Sequence, residues 1–87
     1  MATVFVPPML RPITNNSQTV EVSGPNLRAV LEELNAAYPG FEDRICIDGQ
    51  LRPELSVWIN DEIISRGLEE PIAADCEIHF LPALGGG

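Results

Sequence analysis

Leu27, Val30, Leu31, Leu34 and Tyr38 fall at i, i+3, i+4, i+7 and i+11, one face of an α-helix, with Arg28, Glu32, Glu33 and Asn35 opposite. No other stretch of the 87 residues carries that period. Elsewhere the apolar residues alternate with polar ones, the period of half-buried strands. One amphipathic helix and several strands can bury all their apolar faces in one way: a single sheet with the helix covering one side.

The boundaries support this reading. Val4, Phe5 and Val6 open a first strand over residues 3–9, with Pro7 and Pro8 forcing its later part to a bulge or an unpaired edge. Residues 10–16 form a loop ending in Asn15-Asn16, a turn signal. Residues 18–23 alternate, with Val20 and Val22 facing one way. Ser23-Gly24-Pro25-Asn26 begins the helix, with Gly24 or Asn26 as cap, and Pro39-Gly40 stops it. A short strand and tight turn follow around Ile45, Ile47 and Asp48-Gly49. Leu55, Val57 and Ile59 mark a clear strand, Ile63-Ile64 a short one, and residues 66–75 a connection. Cys76, Ile78 and Phe80 mark the last strand, closed by Pro82. The order β-β-α-β-β-β predicts an α+β fold of the ubiquitin-like β-grasp type, in which one mixed sheet is covered on one face by a single main helix. A ferredoxin-like domain would need a second helix. Residues 1–82 are expected to form the domain and 83–87 a flexible tail.

Eighty-seven residues allow one domain, and one this small buries only about 60% of the surface its unfolded chain exposes. Five arginines, no lysine and thirteen acidic residues give a net charge of −8. Such a surface repels phosphate backbones and anionic lipid, which argues against nucleic-acid and membrane partners. No apolar run approaches the roughly 20 residues of a membrane span, and Val4-Phe5-Val6 lacks the basic leader of a signal peptide. The expectation is a cytoplasmic protein, monomeric on its own. Cys46 and Cys76 sit in apolar surroundings without metal-ligand spacing and read as buried reduced thiols.

Catalytic constellations are missing. His79 is the sole histidine, so no metal pair of histidines can form, and it reads as a half-exposed strand residue. The acidic pairs Glu32-Glu33, Glu42-Asp43, Asp61-Glu62 and Glu69-Glu70 are sequence neighbours that read as solvated surface. No catalytic residue, bound cofactor or metal is expected. The closing residues Ala83, Leu84, Gly85, Gly86 and Gly87 are what remains. With glycine at about 7% of residues, three in the last three positions have odds of roughly 3 in 10,000. Glycine has no Cβ and passes through channels where a side chain would clash. Five extended residues reach about 17 Å. A carboxylate on such a stem can enter a partner's ATP site while the domain stays outside. Attack on ATP gives an acyl-adenylate, and a persulfide can displace AMP to leave a thiocarboxylate.

These residues resemble the ThiS/MoaD family of ubiquitin-like sulfur carriers over essentially the whole chain. The resemblance rests on Val4 to Pro12 with its Leu10-Arg11-Pro12, on the helix 27–34, on Trp58-Ile59-Asn60-Asp61-Glu62, and above all on Phe80-Leu81-Pro82-Ala83-Leu84-Gly85-Gly86. It is strongest to the CysO-type subgroup. The resemblance implies an E1-like adenylyltransferase and sulfurtransferase that spends ATP on the carrier. It further implies a PLP-dependent cysteine synthase that consumes the thiocarboxylate, and a JAMM-type metalloprotease that releases cysteine. The sulfur-accepting carboxylate is then that of Gly87, or of Gly86 if the third glycine is trimmed, because the family usually stops at Gly-Gly. Two other roles stay open: the small subunit of molybdopterin synthase or the thiamine sulfur carrier, and a ubiquitin-like modifier conjugated to lysines.

Alternation also predicts a docking patch. If Val4, Val6, Leu55, Val57, Ile59, Cys76, Ile78 and Phe80 face the helix, then Phe5, Trp58, His79 and Leu81 face outward, and adjacent strands bring them together just before the tail. Two aromatics and a leucine exposed together suggest a partner surface, unless the segment 41–54 folds over them.

Overall fold

The computed structural model describes residues 1–82. Strands β1 (Ala2–Phe5) and β2 (Thr19–Val22) form an antiparallel pair, followed by helix α1 (Leu27–Ala37) and a five-residue helix α2 (Phe41–Ile45). Strands β3 (Cys46–Ile47) and β4 (Gln50–Leu51) make a separate small hairpin. Strands β5 (Leu55–Ile59), β6 (Glu62–Ile63) and β7 (Glu77–Pro82) complete the main sheet. Its order is β2-β1-β7-β5-β6, with β7 in the centre, parallel to β1 and antiparallel to β5. A mixed five-stranded sheet with one main helix is the β-grasp arrangement.

Local chemistry fixes each boundary. Asn26 is the cap of α1: its Oδ1 accepts from the Ala29 amide at 2.9 Å, satisfying a first-turn donor that has no helical partner. At the other end the Asn35 Oδ1 accepts from Gly40 N at 3.2 Å and Glu42 N at 3.1 Å, splicing α1 to α2. Gly40 sits at φ 96°, a left-handed conformation that ends the first helix and admits the second. Asp48 and Gly49 both have positive φ, as the tight β3–β4 turn requires.

The apolar face of α1 (Leu27, Val30, Leu31, Leu34) is buried against Val4, Val22, Val57, Ile78 and Phe80 of the sheet. Phe41 and Ile45, four residues apart on α2, close one end of this core. Phe41 meets Phe80 edge to face, with ring centroids 6.4 Å apart. Thr14 is a fully buried polar side chain. Its Oγ1 lies 3.1 Å from the Ser17 carbonyl and 3.3 Å from that of Arg11, tying down the turn in which Asn15 and Asn16 take positive φ.

Three elements differ from the sequence reading. The first strand stops at Phe5 rather than Met9, because Pro8 cannot donate to a ladder. Residues Pro8–Leu10 form a 3-10 turn instead, with the Leu10 amide donating to the Pro7 carbonyl. The short strand and tight turn expected around Ile45, Ile47 and Asp48-Gly49 are present as β3 and its turn into β4. The strand starts only at Cys46, because Ile45 ends a helix over residues 41–45 whose spacing puts both Phe41 and Ile45 into the core. The short strand after β5 is Glu62–Ile63, not Ile63-Ile64, since a two-residue turn at Asn60-Asp61 pairs Ile59 with Glu62.

Candidate functional site

Strand β7 leads to the glycine tail, and its central place fixes the tail's root. Pro82, the last described residue, pairs with Leu55, and Leu81 pairs with Ser56. The Ser56 hydroxyl donates to the Leu81 carbonyl at 3.2 Å and accepts from the Trp58 indole Nε1 at 3.2 Å. A side-chain relay on β5 thus reinforces the ladder beside the last described residues of β7.

The outer face carries the residues predicted from alternation. Register brings Phe5, His79 and Trp58 side by side on β1, β7 and β5. The Phe5 and His79 rings stack, with centroids 4.3 Å apart and planes 8° from parallel. The His79 Nε2 lies 3.7 Å from a Glu77 carboxylate oxygen. Phe5, Trp58 and His79 are half-buried, and Leu81 is 45% exposed. The segment 41–54 does not cover this face, for α2 packs on α1 at the opposite side of the sheet. Ile63, missed by the sequence reading, pairs with Trp58 and extends the row to β6 at 57% exposure. The signal was present in Asn60-Asp61: a two-residue turn there turns Ile63 outward beside the indole.

Both cysteines are free and buried. Burial pushes each thiol above its ordinary pKa, so each stays protonated near neutral pH and is a poor nucleophile. Among the described residues no group of three or more His, Cys, Asp or Glu side chains could hold a metal. Among them, too, no helix is long and apolar enough to cross a membrane. Ala83, Leu84, Gly85, Gly86 and Gly87 lie outside the described residues.

Residues 4–87 match the model of the ThiS family, glycines included. The chain belongs to the ThiS family. Among ThiS-family relatives, it is 37% identical over 90 residues to the sulfur carrier protein CysO of Mycobacterium tuberculosis, covering 98% of this chain and 97% of that one. A crystal structure of M. tuberculosis CysO superposes with a TM-score of 0.88 at 35% identity, over 97% of this chain and 100% of that one. The crystal structure of the Amycolatopsis orientalis BexX/CysO complex contains a chain that matches at a TM-score of 0.91 and 28% identity, with full coverage of both. Small archaeal modifier protein 1 of Haloferax volcanii is a more distant likeness, with a TM-score of 0.73, 29% identity, and 99% and 98% coverage.

Proposed function

We propose that this ThiS-family chain is a sulfur carrier protein, a substrate of other enzymes rather than a catalyst. The carboxylate at the end of the 85–87 glycine run is adenylated by an E1-like enzyme using ATP. The outer sulfur of a persulfide then displaces AMP to give an acyl disulfide. A second thiol cleaves its S–S bond and is left in a disulfide with the donor cysteine, and the released thiocarboxylate donates sulfide to cysteine biosynthesis in the cytoplasm. The observation that carries this reading is the family match running through residue 87, the glycines included. The likeness to the sulfur carrier protein CysO over nearly the whole of both chains supports the same role.

The chemistry needs little from the domain itself. It must hold the tail's root still and offer a surface for grip. The Ser56 relay supplies the first. The row Phe5, His79, Trp58 and Ile63, with Leu81 beside it, supplies the second, and we assign it to docking of the activating enzyme. Aromatic and large aliphatic side chains of this kind dominate many interfaces. A PLP-dependent cysteine synthase and a JAMM-type metalloprotease are the downstream partners this reading requires. Its test is to supply the chain with ATP, an E1-like enzyme, a persulfide donor and a thiol reductant, and look for a thiocarboxylate at the C-terminus. A modifier role, suggested by the archaeal likeness, would instead yield isopeptide bonds to lysines of other proteins.

A further inference from the structure

Two grooves flank the root of the tail, and they share Pro7, Met9 and Phe80. Met9, 68% exposed, therefore stands between them. The first groove is walled by Phe5, His79 and Leu81 and continues the outer-face row. The second has a volume of about 530 Å³, a floor of Leu10, Leu55 and Phe80, and a rim carrying Arg44, Arg52 and Glu54. Because Leu55 pairs with Pro82, this groove begins where the tail begins.

Its charge sets it apart. The chain carries −8 overall and only five cationic side chains, two of which meet here. Arg52 is held in advance: its Nε and Nη2 donate to the Asp43 carbonyl at 3.2 and 2.8 Å, and its Nη1 lies 3.8 Å from Glu54. A guanidinium already oriented loses little rotamer freedom when a carboxylate arrives. Arg44, exposed in the last turn of α2, has no carboxylate within ion-pair distance among the described residues. An apolar floor beneath a rim of two arginines and one glutamate, net positive on an otherwise acidic protein, complements a segment that presents a large apolar side chain beside a carboxylate.

We propose that the groove of Arg44 and Arg52 receives an acidic, apolar-tipped segment of the activating enzyme, an inference that rests on the sulfur-carrier reading above. The acidic remainder of the surface repels such a segment while the groove attracts it. Charge thereby selects which end of the carrier meets the enzyme, and it selects the end that carries the tail.

The test is titration calorimetry of the full chain against the E1-like adenylyltransferase of the same genome, at low and high salt. Arg44→Glu, at an exposed position, should leave the thermal midpoint unchanged and weaken binding about tenfold, with Arg52→Gln weakening it less. If Arg52→Gln lowers the thermal midpoint, Arg44→Glu alone decides. The gap between wild type and Arg44→Glu should narrow at high salt and persist in chains lacking residues 85–87. Unchanged affinity overturns the proposal. So does a loss that vanishes when the glycines are removed, since the tail and not the enzyme would then occupy the groove. Adenylation of the wild type separates the two readings. An enzyme that binds the wild type without adenylating it refutes the carrier role, whereas normal adenylation with unchanged affinities refutes the groove alone.

Discussion

Leu81→Ala isolates the docking surface from the fold. Leu81 points away from the helix and is 45% exposed, so nearly half of it remains to be covered by a partner. Burying a whole leucine side chain contributes about 1.5–3 kcal/mol, so covering that fraction contributes about 0.7–1.4 kcal/mol. The substitution should therefore weaken binding to the E1-like enzyme roughly three- to tenfold. Surface substitutions of this kind usually change stability by less than about 0.5 kcal/mol, so the thermal midpoint should barely move. Trp58→Ala is less clean, because the half-buried indole also bonds Ser56 within the relay at the tail's root. Titration calorimetry on the folded variant measures the effect. Unchanged affinity for an enzyme that binds the wild type would refute the outer face as a docking surface.

Other perturbations probe what holds the site in place. Asn26→Ala removes the cap of α1 and should cost about 1 kcal/mol, lowering the thermal midpoint by roughly 4–8 °C in a domain of this size. Phe41→Ala should cost about 3–5 kcal/mol in denaturant unfolding, and a cost below 1 kcal/mol would show that α2 is not part of the core. The cysteines give a pH dependence. Each thiol's pKa is raised on folding, so the folded chain holds its protons more tightly than the unfolded one. That contribution to stability is complete below the unfolded thiol pKa and is lost as pH rises through the higher folded value. Unfolding titrations should accordingly show stability falling above about pH 9, less steeply in the Cys46→Ala/Cys76→Ala double variant.

Much of this was legible in the residues because period and punctuation agreed. The helix announced itself through five apolar positions and an Asn cap. The faces of β5 and β7 followed from alternation, which placed Phe5, Trp58, His79 and Leu81 on one surface before any register was known. Their meeting depended on β7 lying between β1 and β5, a tertiary fact carried by the fold class and not by any short window. Residues 41–45 were illegible for a physical reason: five residues give one turn, too short for a helical period to stand out against a strand. Ile63 was missed because a one-residue shift in a two-residue strand reverses its face. The groove of Arg44 and Arg52 joins α2 to the loop before β5, and neither arginine carries a motif that would connect it to the other.

The most direct test is the intact mass of the carrier after incubation with ATP, the E1-like adenylyltransferase, a persulfide donor and a thiol reductant that cleaves the acyl disulfide. Exchange of carboxylate oxygen for sulfur adds about 16 Da, as does one cysteine oxidation, so the measurement belongs on the Cys46→Ser/Cys76→Ser variant. The gain should need ATP, fragment to the last glycine, and disappear when Gly86 and Gly87 are deleted from a chain that still folds. A cysteine-free chain that folds and binds the enzyme yet gains no mass would contradict it, as would sulfur found anywhere but the C-terminal carbonyl.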